Sequence, residues 1–159
     1  MKFSKEIVIN APAEKVWDIL AHQFTDIGKY ARAVPHSSIN NDAPKISNSP
    51  VGGRLCDTSI GKISEEFTAY DEEGMTFSFK GVITSIVFSS VISTNSVIAI
   101  DANTSKHTVT PNITLKPIGF LMYPLMKIYL GKTIMEGMRD LKYFAENDKP
   151  SPEKLASLK

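Results

Sequence analysis

Lys5-Glu-Ile-Val-Ile-Asn-Ala-Pro-Ala-Glu-Lys-Val-Trp-Asp-Ile-Leu20 joins a short β-branched strand to an amphipathic helix. Residues 5–9 carry Ile and Val, which suit a half-buried strand. Asn10-Ala-Pro12 ends it. Pro12 falls where a helix tolerates a missing N–H, and Glu14 lies near the positive end of that helix. Val16, Ile19, Leu20 and Phe24 then recur at i, i+3, i+4 and i+8, one apolar helical face. Thr25-Asp-Ile-Gly-Lys-Tyr30 reads as a second, shorter helix after a tight break.

The far end of the chain is also helical. Over residues 119–146 the apolar side chains Met122, Leu125, Met126, Tyr129, Leu130, Ile134, Met138 and Leu141 recur at mixed spacings of three and four. Lys127, Lys132, Glu136, Arg139, Asp140 and Lys142 fall on the other side, the pattern of a long helix with one buried face. Between the two helical ends the chain reads as strand. Residues 54–59 and 62–71 flank Ile60-Gly61 as a hairpin, and Met75-Thr-Phe-Ser-Phe-Lys80 alternates with period two. Residues 91–101 and 106–116 form a last pair joined by Ala102-Asn-Thr-Ser105. Pro111 inside the final strand predicts an edge position or a bulge. Residues 35–53 are mostly loop, with one short strand near 36–40.

At 159 residues the expectation is one domain over residues 1–146, followed by a polar, Pro-broken tail, 147–159, that reads as disordered. The net charge of +1 gives no reason to expect a nucleic acid as partner. The lone Cys56 excludes an intrachain disulfide. Together with an N-terminus that lacks the apolar stretch of a signal peptide, it points to a cytoplasmic protein. Without that signal, the glycosylation triplets at Asn103 and Asn112 carry no weight. The most apolar stretch, residues 82–100, is interrupted by Ser, Thr and Asn and reads as two β-strands, so no membrane insertion is expected.

This order of elements, with the quoted segment through Val16-Trp17, resembles the START/Bet v 1-like (SRPBCC) helix-grip superfamily, and within it the bacterial polyketide cyclase/dehydrase-like proteins. Phe24-Thr-Asp-Ile-Gly-Lys-Tyr30, Gly53-Arg54, Gly61, Glu65-Glu66 and Tyr70-Asp71 add to the likeness, which spans roughly residues 3–146. The resemblance implies an α+β fold: a curved seven-stranded antiparallel sheet, two short N-terminal helices and one long C-terminal helix enclosing a cavity for apolar or aromatic molecules. Three positions depart from it. Tyr30 stands where relatives often have Trp, Pro111 stands where an aromatic is common, and residues 81–92 lack a Pro-containing segment.

Glu65 is the sharpest candidate. Alternation along Ile63-Ser-Glu-Glu-Phe-Thr-Ala69 puts Ile63, Phe67 and Ala69 on the buried face and Glu65 with them, and a buried carboxylate needs a partner. With Ile60-Gly61 as the turn, Cys56 opposes Glu65 and Arg54 lies diagonally within reach. The pair has two readings, as structural or as a contact for a polar ligand group. Trp17, Tyr30, Arg54, Cys56, Glu65, Phe67, Phe77, Phe79, Met122, Met126 and Tyr129 make up the candidate lining; the aromatics and methionines belong equally to an ordinary core.

No metal site or cofactor is expected. His22 at a helix end, His36 in the loop and His107 in a turn form no ligand set, and Cys56 has no histidine at a defined offset to activate it. Gly131-Lys-Thr133 lacks the upstream glycine of a phosphate-binding loop, because position 126 is Met. Three functions remain open. The first is a carrier or sensor for a small apolar or aromatic molecule, lipid- or polyketide-like. The second is a cyclase/aromatase or hydrolase using Glu65 and Arg54, with Tyr70 or Tyr129. The third is an interaction domain with a collapsed pocket, dimerising through a sheet edge or residues 82–91. The chain is expected as a monomer or homodimer.

Overall fold

The computed structural model of the chain describes residues 1–59, 61–82 and 88–159. Its strands are β1 (Lys5–Ile9), β2 (His36–Ile39), β3 (Gly53–Thr58), β4 (Gly61–Asp71), β5 (Thr76–Val82), β6 (Phe88–Asp101) and β7 (Thr104–Leu115). They pair antiparallel in the order β1-β7-β6-β5-β4-β3-β2, so the first strand closes the sheet against the last. The short helix α1 (Ala13–Trp17) runs into a π-helical turn, Asp18–His22, and then a 3-10 turn, Phe24–Lys29. At the C-terminus α2 (Pro117–Leu121) and α3 (Tyr123–Asn147) lead to a short α4 (Pro152–Ala156).

The sheet explains most of its own residues. Along β7, Ser105, His107, Val109, Pro111 and Ile113 are buried, while the side chains between them are partly or fully exposed. His107, expected in a turn, therefore sits on the concave face; the turn is only Ala102-Asn103, between Asp101 and Thr104. Pro111 is on an interior strand, not an edge. It falls where the ladder to β1 lapses, between Lys5↔Val109 and the isolated bridge Lys2↔Asn112, so its missing N–H costs no β1 bond.

The hairpin register also differs from the sequence reading. Thr58 pairs with Gly61, which the sequence pattern puts in the turn; Ile60 lies outside the described residues. Gly61 adopts φ +113°, a conformation that side-chain-bearing residues rarely adopt. The shift of two positions makes Arg54, not Cys56, the direct cross-strand partner of Glu65, and Cys56 faces Ile63. A slip of two preserves the face, so Glu65 stays on the concave side. Further along β4, a bulge between Phe67 and Ala69 resets the alternation. Ala69, expected inside, is exposed, and Tyr70 turns in beside Phe67 instead.

The apolar core gathers Ile9, Val16, Trp17, Phe24, Phe67 and Phe77 from the sheet and N-terminal helices with Leu141 and Ala145 from α3. The expected single helix over 119–146 is broken at Met122, with Pro124 in the first turn of α3. Its buried side chains do not start where the pattern predicted: Met122, Leu125 and Tyr129 are exposed, while Met138, Leu141 and Ala145 are buried. Asp140, expected outside, is fully buried. It accepts from Arg32 Nη2 at 2.7 Å, from the Arg32 backbone N–H at 2.9 Å and from Ser151 Oγ at 3.0 Å.

The tail expected to be disordered is folded back here. Ser151 caps α4, its Oγ accepting from the Lys154 N–H at 3.1 Å, with Pro152 in the first turn. Lys154 is buried and donates Nζ to the carbonyls of Ala31 and Val34 at 3.1 and 2.8 Å.

Candidate functional site

Between the concave face and α3 lies a cavity of two lobes, about 260 and 310 Å³. Ala33, Val34, Glu65, Phe79 and Thr133 line both, so the lobes adjoin. The inner lobe is closed by Tyr30, Phe77, Asn95, His107, Met138 and Leu141, and the outer by Cys56, Ile63, Gly81, Val91, Tyr129 and Leu130. Its walls are mainly apolar, the usual make-up of a site for a small organic molecule.

The Arg54–Glu65 pair sits at the junction. Arg54 Nε donates to Glu65 Oε2 at 2.6 Å, and its Nη1 donates to the Phe24 carbonyl at 2.6 Å. The guanidinium lies 3.9 Å above the Phe24 ring centroid, a cation–π contact in a desolvated setting. Burial opposes the charge on Arg54, but the Glu65 carboxylate outweighs it and holds the pKa above its ordinary value. Cys56 Sγ is 3.9 Å from the same carboxylate oxygen. Burial, then Glu65, pushes that thiol up to about 12. Burial likewise raises the Tyr30 phenol to about 12.

A second polar group lies deeper. Ser93, Asn95 and His107 are buried on the inner wall. His107 Nε2 is 3.1 Å from Asn95 Oδ1, which makes Nε2 the protonated nitrogen and leaves Nδ1 as a lone-pair acceptor. Nδ1 is buried and has no hydrogen-bond partner among the described residues. Burial lowers the His107 pKa to about 4, so the ring is neutral at pH 7. Sequence reading missed this group. The signal was present: carrying the Val109–Pro111–Ile113 alternation back two residues puts His107 inside.

Of the sequence candidates, Arg54, Glu65, Phe79, Tyr30, Phe77, Cys56 and Tyr129 line the cavity. Phe67 stacks within the core on Phe24, with ring centroids 4.2 Å apart. Trp17 lines neither lobe; it is buried in the core and donates Nε1 to Glu72 Oε1 at 3.0 Å. Glu72 also receives Tyr70 Oη at 2.5 Å and His22 Nε2 at 2.8 Å, which removes Tyr70 from the cavity chemistry. Met122 and Met126 line neither lobe and sit at the open start of α3. Among the described residues no cluster of His, Cys, Asp or Glu could hold a metal ion.

A family model described as polyketide cyclase / dehydrase and lipid transport matches residues 1–146. The chain belongs to this family. Solved structures agree on the fold. A START superfamily protein from Mycobacterium smegmatis superposes with a TM-score of 0.76 at 16% identity, covering 93% of this chain and 99% of that one. The Zhui aromatase/cyclase from a Streptomyces species gives 0.75 at 9% identity, covering 92% and 93%. A major latex-like protein from Panax ginseng gives 0.66 at 14% identity, covering 91% and 97%. No curated protein matches the chain in sequence. Family membership supports a ligand-binding or cyclase role, and these remote structures establish the helix-grip architecture.

Proposed function

We propose that the protein binds a small apolar or aromatic molecule, lipid- or polyketide-like, in the two-lobed cavity and acts as a carrier or sensor. The observation that carries this reading is the apolar space with a polar group at each depth, Arg54–Glu65 at the junction and Asn95–His107 inside. A ligand with one oxygen function near the Arg54 guanidinium and a hydroxyl donor toward His107 Nδ1 satisfies both. The lone cysteine, which allows no intrachain disulfide, fits a reducing cytoplasmic setting. No helix among the described residues is long and apolar enough to cross a membrane.

Binding is favoured over acid–base catalysis by how the lining groups titrate. General acids and bases work best with pKa values near the working pH. Tyr30 and Cys56 are pushed up to about 12, His107 falls to about 4 and Arg54 is held above its ordinary value. These four keep one protonation state across the neutral range and serve as fixed donors and acceptors. The open volume also speaks against a collapsed pocket.

Native mass spectrometry of gently purified protein, followed by thermal-shift screening with fatty acids and polycyclic phenols, tests the reading. The expected result is a co-purified small molecule, or a stabilising shift with one ligand class that Arg54→Met weakens. Ligand-free protein with no shift across the library overturns it.

A further inference from the structure

The start of the helical end carries the most exposed large apolar side chains among the described residues. Phe120, Leu121, Leu125 and Ile128 are 67, 86, 65 and 72% exposed. Leu125 and Ile128 stand at i and i+3 on one face of α3, and Phe120 and Leu121 end α2 just before it, so this stretch presents an apolar stripe to solvent. Isolated exposed apolar side chains are ordinary; a contiguous stripe of large ones marks an interaction site. Charge says with what. From Ala102 to Met135 the chain contains no Asp or Glu, while Lys106, Lys116, Lys127 and Lys132 fall in that stretch.

Beside the stripe, α3 and the N-terminal strand leave an open groove lined by Phe3, Lys5, Lys127, Ile128, Lys132 and Arg139. Lys132 Nζ lies 4.0 Å from Glu136 Oε1, whereas Lys5, Lys127 and Arg139 form no ion pair among the described residues. Ile128 belongs to both groove and stripe, so the apolar and cationic features form one continuous face.

We propose that this face docks on the surface of an anionic lipid bilayer. The apolar stripe enters the acyl boundary and the cations of the groove meet lipid phosphates, the division of labour of interfacial amphipathic helices that lie on a membrane without crossing it. Each basic residue near an anionic surface raises partitioning roughly fivefold, screened by salt. A second copy of the chain fits less well, because a two-fold contact through this face brings the same lysines together. Tyr129 lines the outer lobe and is itself exposed in this stretch, so the docked face adjoins the cavity. The proposal stands whatever the cavity holds.

Flotation with two vesicle types tests it: phosphatidylcholine alone, and phosphatidylcholine with one-third phosphatidylglycerol. Partitioning to the anionic vesicles is expected to be roughly tenfold or more the stronger and to fall steeply with added salt. The pairs Leu121→Asp/Leu125→Asp and Lys127→Glu/Lys132→Glu should each abolish it. None of these four residues lines the cavity, so thermal midpoint and ligand shifts stay unchanged. Equal binding to both vesicles, binding that survives both variant pairs, or no vesicle binding alongside a dimer that Leu121→Asp/Leu125→Asp dissociates would each overturn the proposal.

Discussion

At its C-terminal end α3 is fixed by Met138, Asp140, Leu141 and Ala145, all buried, whereas at its start Leu125 and Ile128 stand in solvent. The two halves belong to one unbroken helix with one apolar pattern. What differs is what faces them. The later half meets β1, the N-terminal helices and α4: Lys142 Nζ donates to the Val8 carbonyl at 2.7 Å, and Glu146 Oε1 accepts from the Asn10 N–H at 2.7 Å. The early half meets the cavity and solvent. A helical stripe therefore specifies a face that wants covering, and leaves open whether protein, ligand or another surface covers it.

The contrast can be broken most severely at Asp140. Asp140→Ala leaves the Arg32 guanidinium and Ser151 without their shared acceptor, and should lower unfolding free energy in urea by about 4 kcal/mol. Next in size is an acid effect from the cavity side. Folded His107 has its pKa depressed to about 4, while the unfolded chain titrates near 6.5. Its contribution is fully present above the unfolded value and is lost as pH falls through this window, roughly 3 kcal/mol in all. His22 works in the opposite sense. Burial lowers its pKa, but the hydrogen bonds its ring donates to the Asp18 and Glu72 carboxylates outweigh this and raise it, so the loss is read as the pH-dependent part that vanishes in His107→Asn. Deleting residues 149–159 removes the Ser151 and Lys154 bonds and should cost about 2 kcal/mol by the same unfolding measurement. Smallest is Leu125→Ser at the open end, within about 0.5 kcal/mol of wild type. A large loss there would show that the early half is packed after all.

Legibility followed the same line. The strand segments and the inward Glu65 were readable because period-two alternation survives a register slip of two. Ala69 was misplaced because the bulge at Thr68 depends on backbone geometry that alternation does not encode. The tail failed for a different reason: Pro150 and Pro152 read as breakers, yet Pro152 behind Ser151 is a helix start. Asp140 has the spacing of a surface residue, and Arg32, 108 positions away in sequence, with Ser151 from the folded-back tail makes it an interior one. The inner polar group was hidden by assigning His107 to a turn.

Lys154 grips the carbonyls of Ala31 and Val34, and those two residues form part of the cavity wall. The last turn of the chain thus works as a tie-rod for the pocket. A protease nick in residues 148–150 would register inside the cavity as altered ligand affinity. Reciprocally, a ligand that spreads the inner lobe would loosen the rod and quicken cleavage at the C-terminus, turning proteolysis into a remote gauge of occupancy.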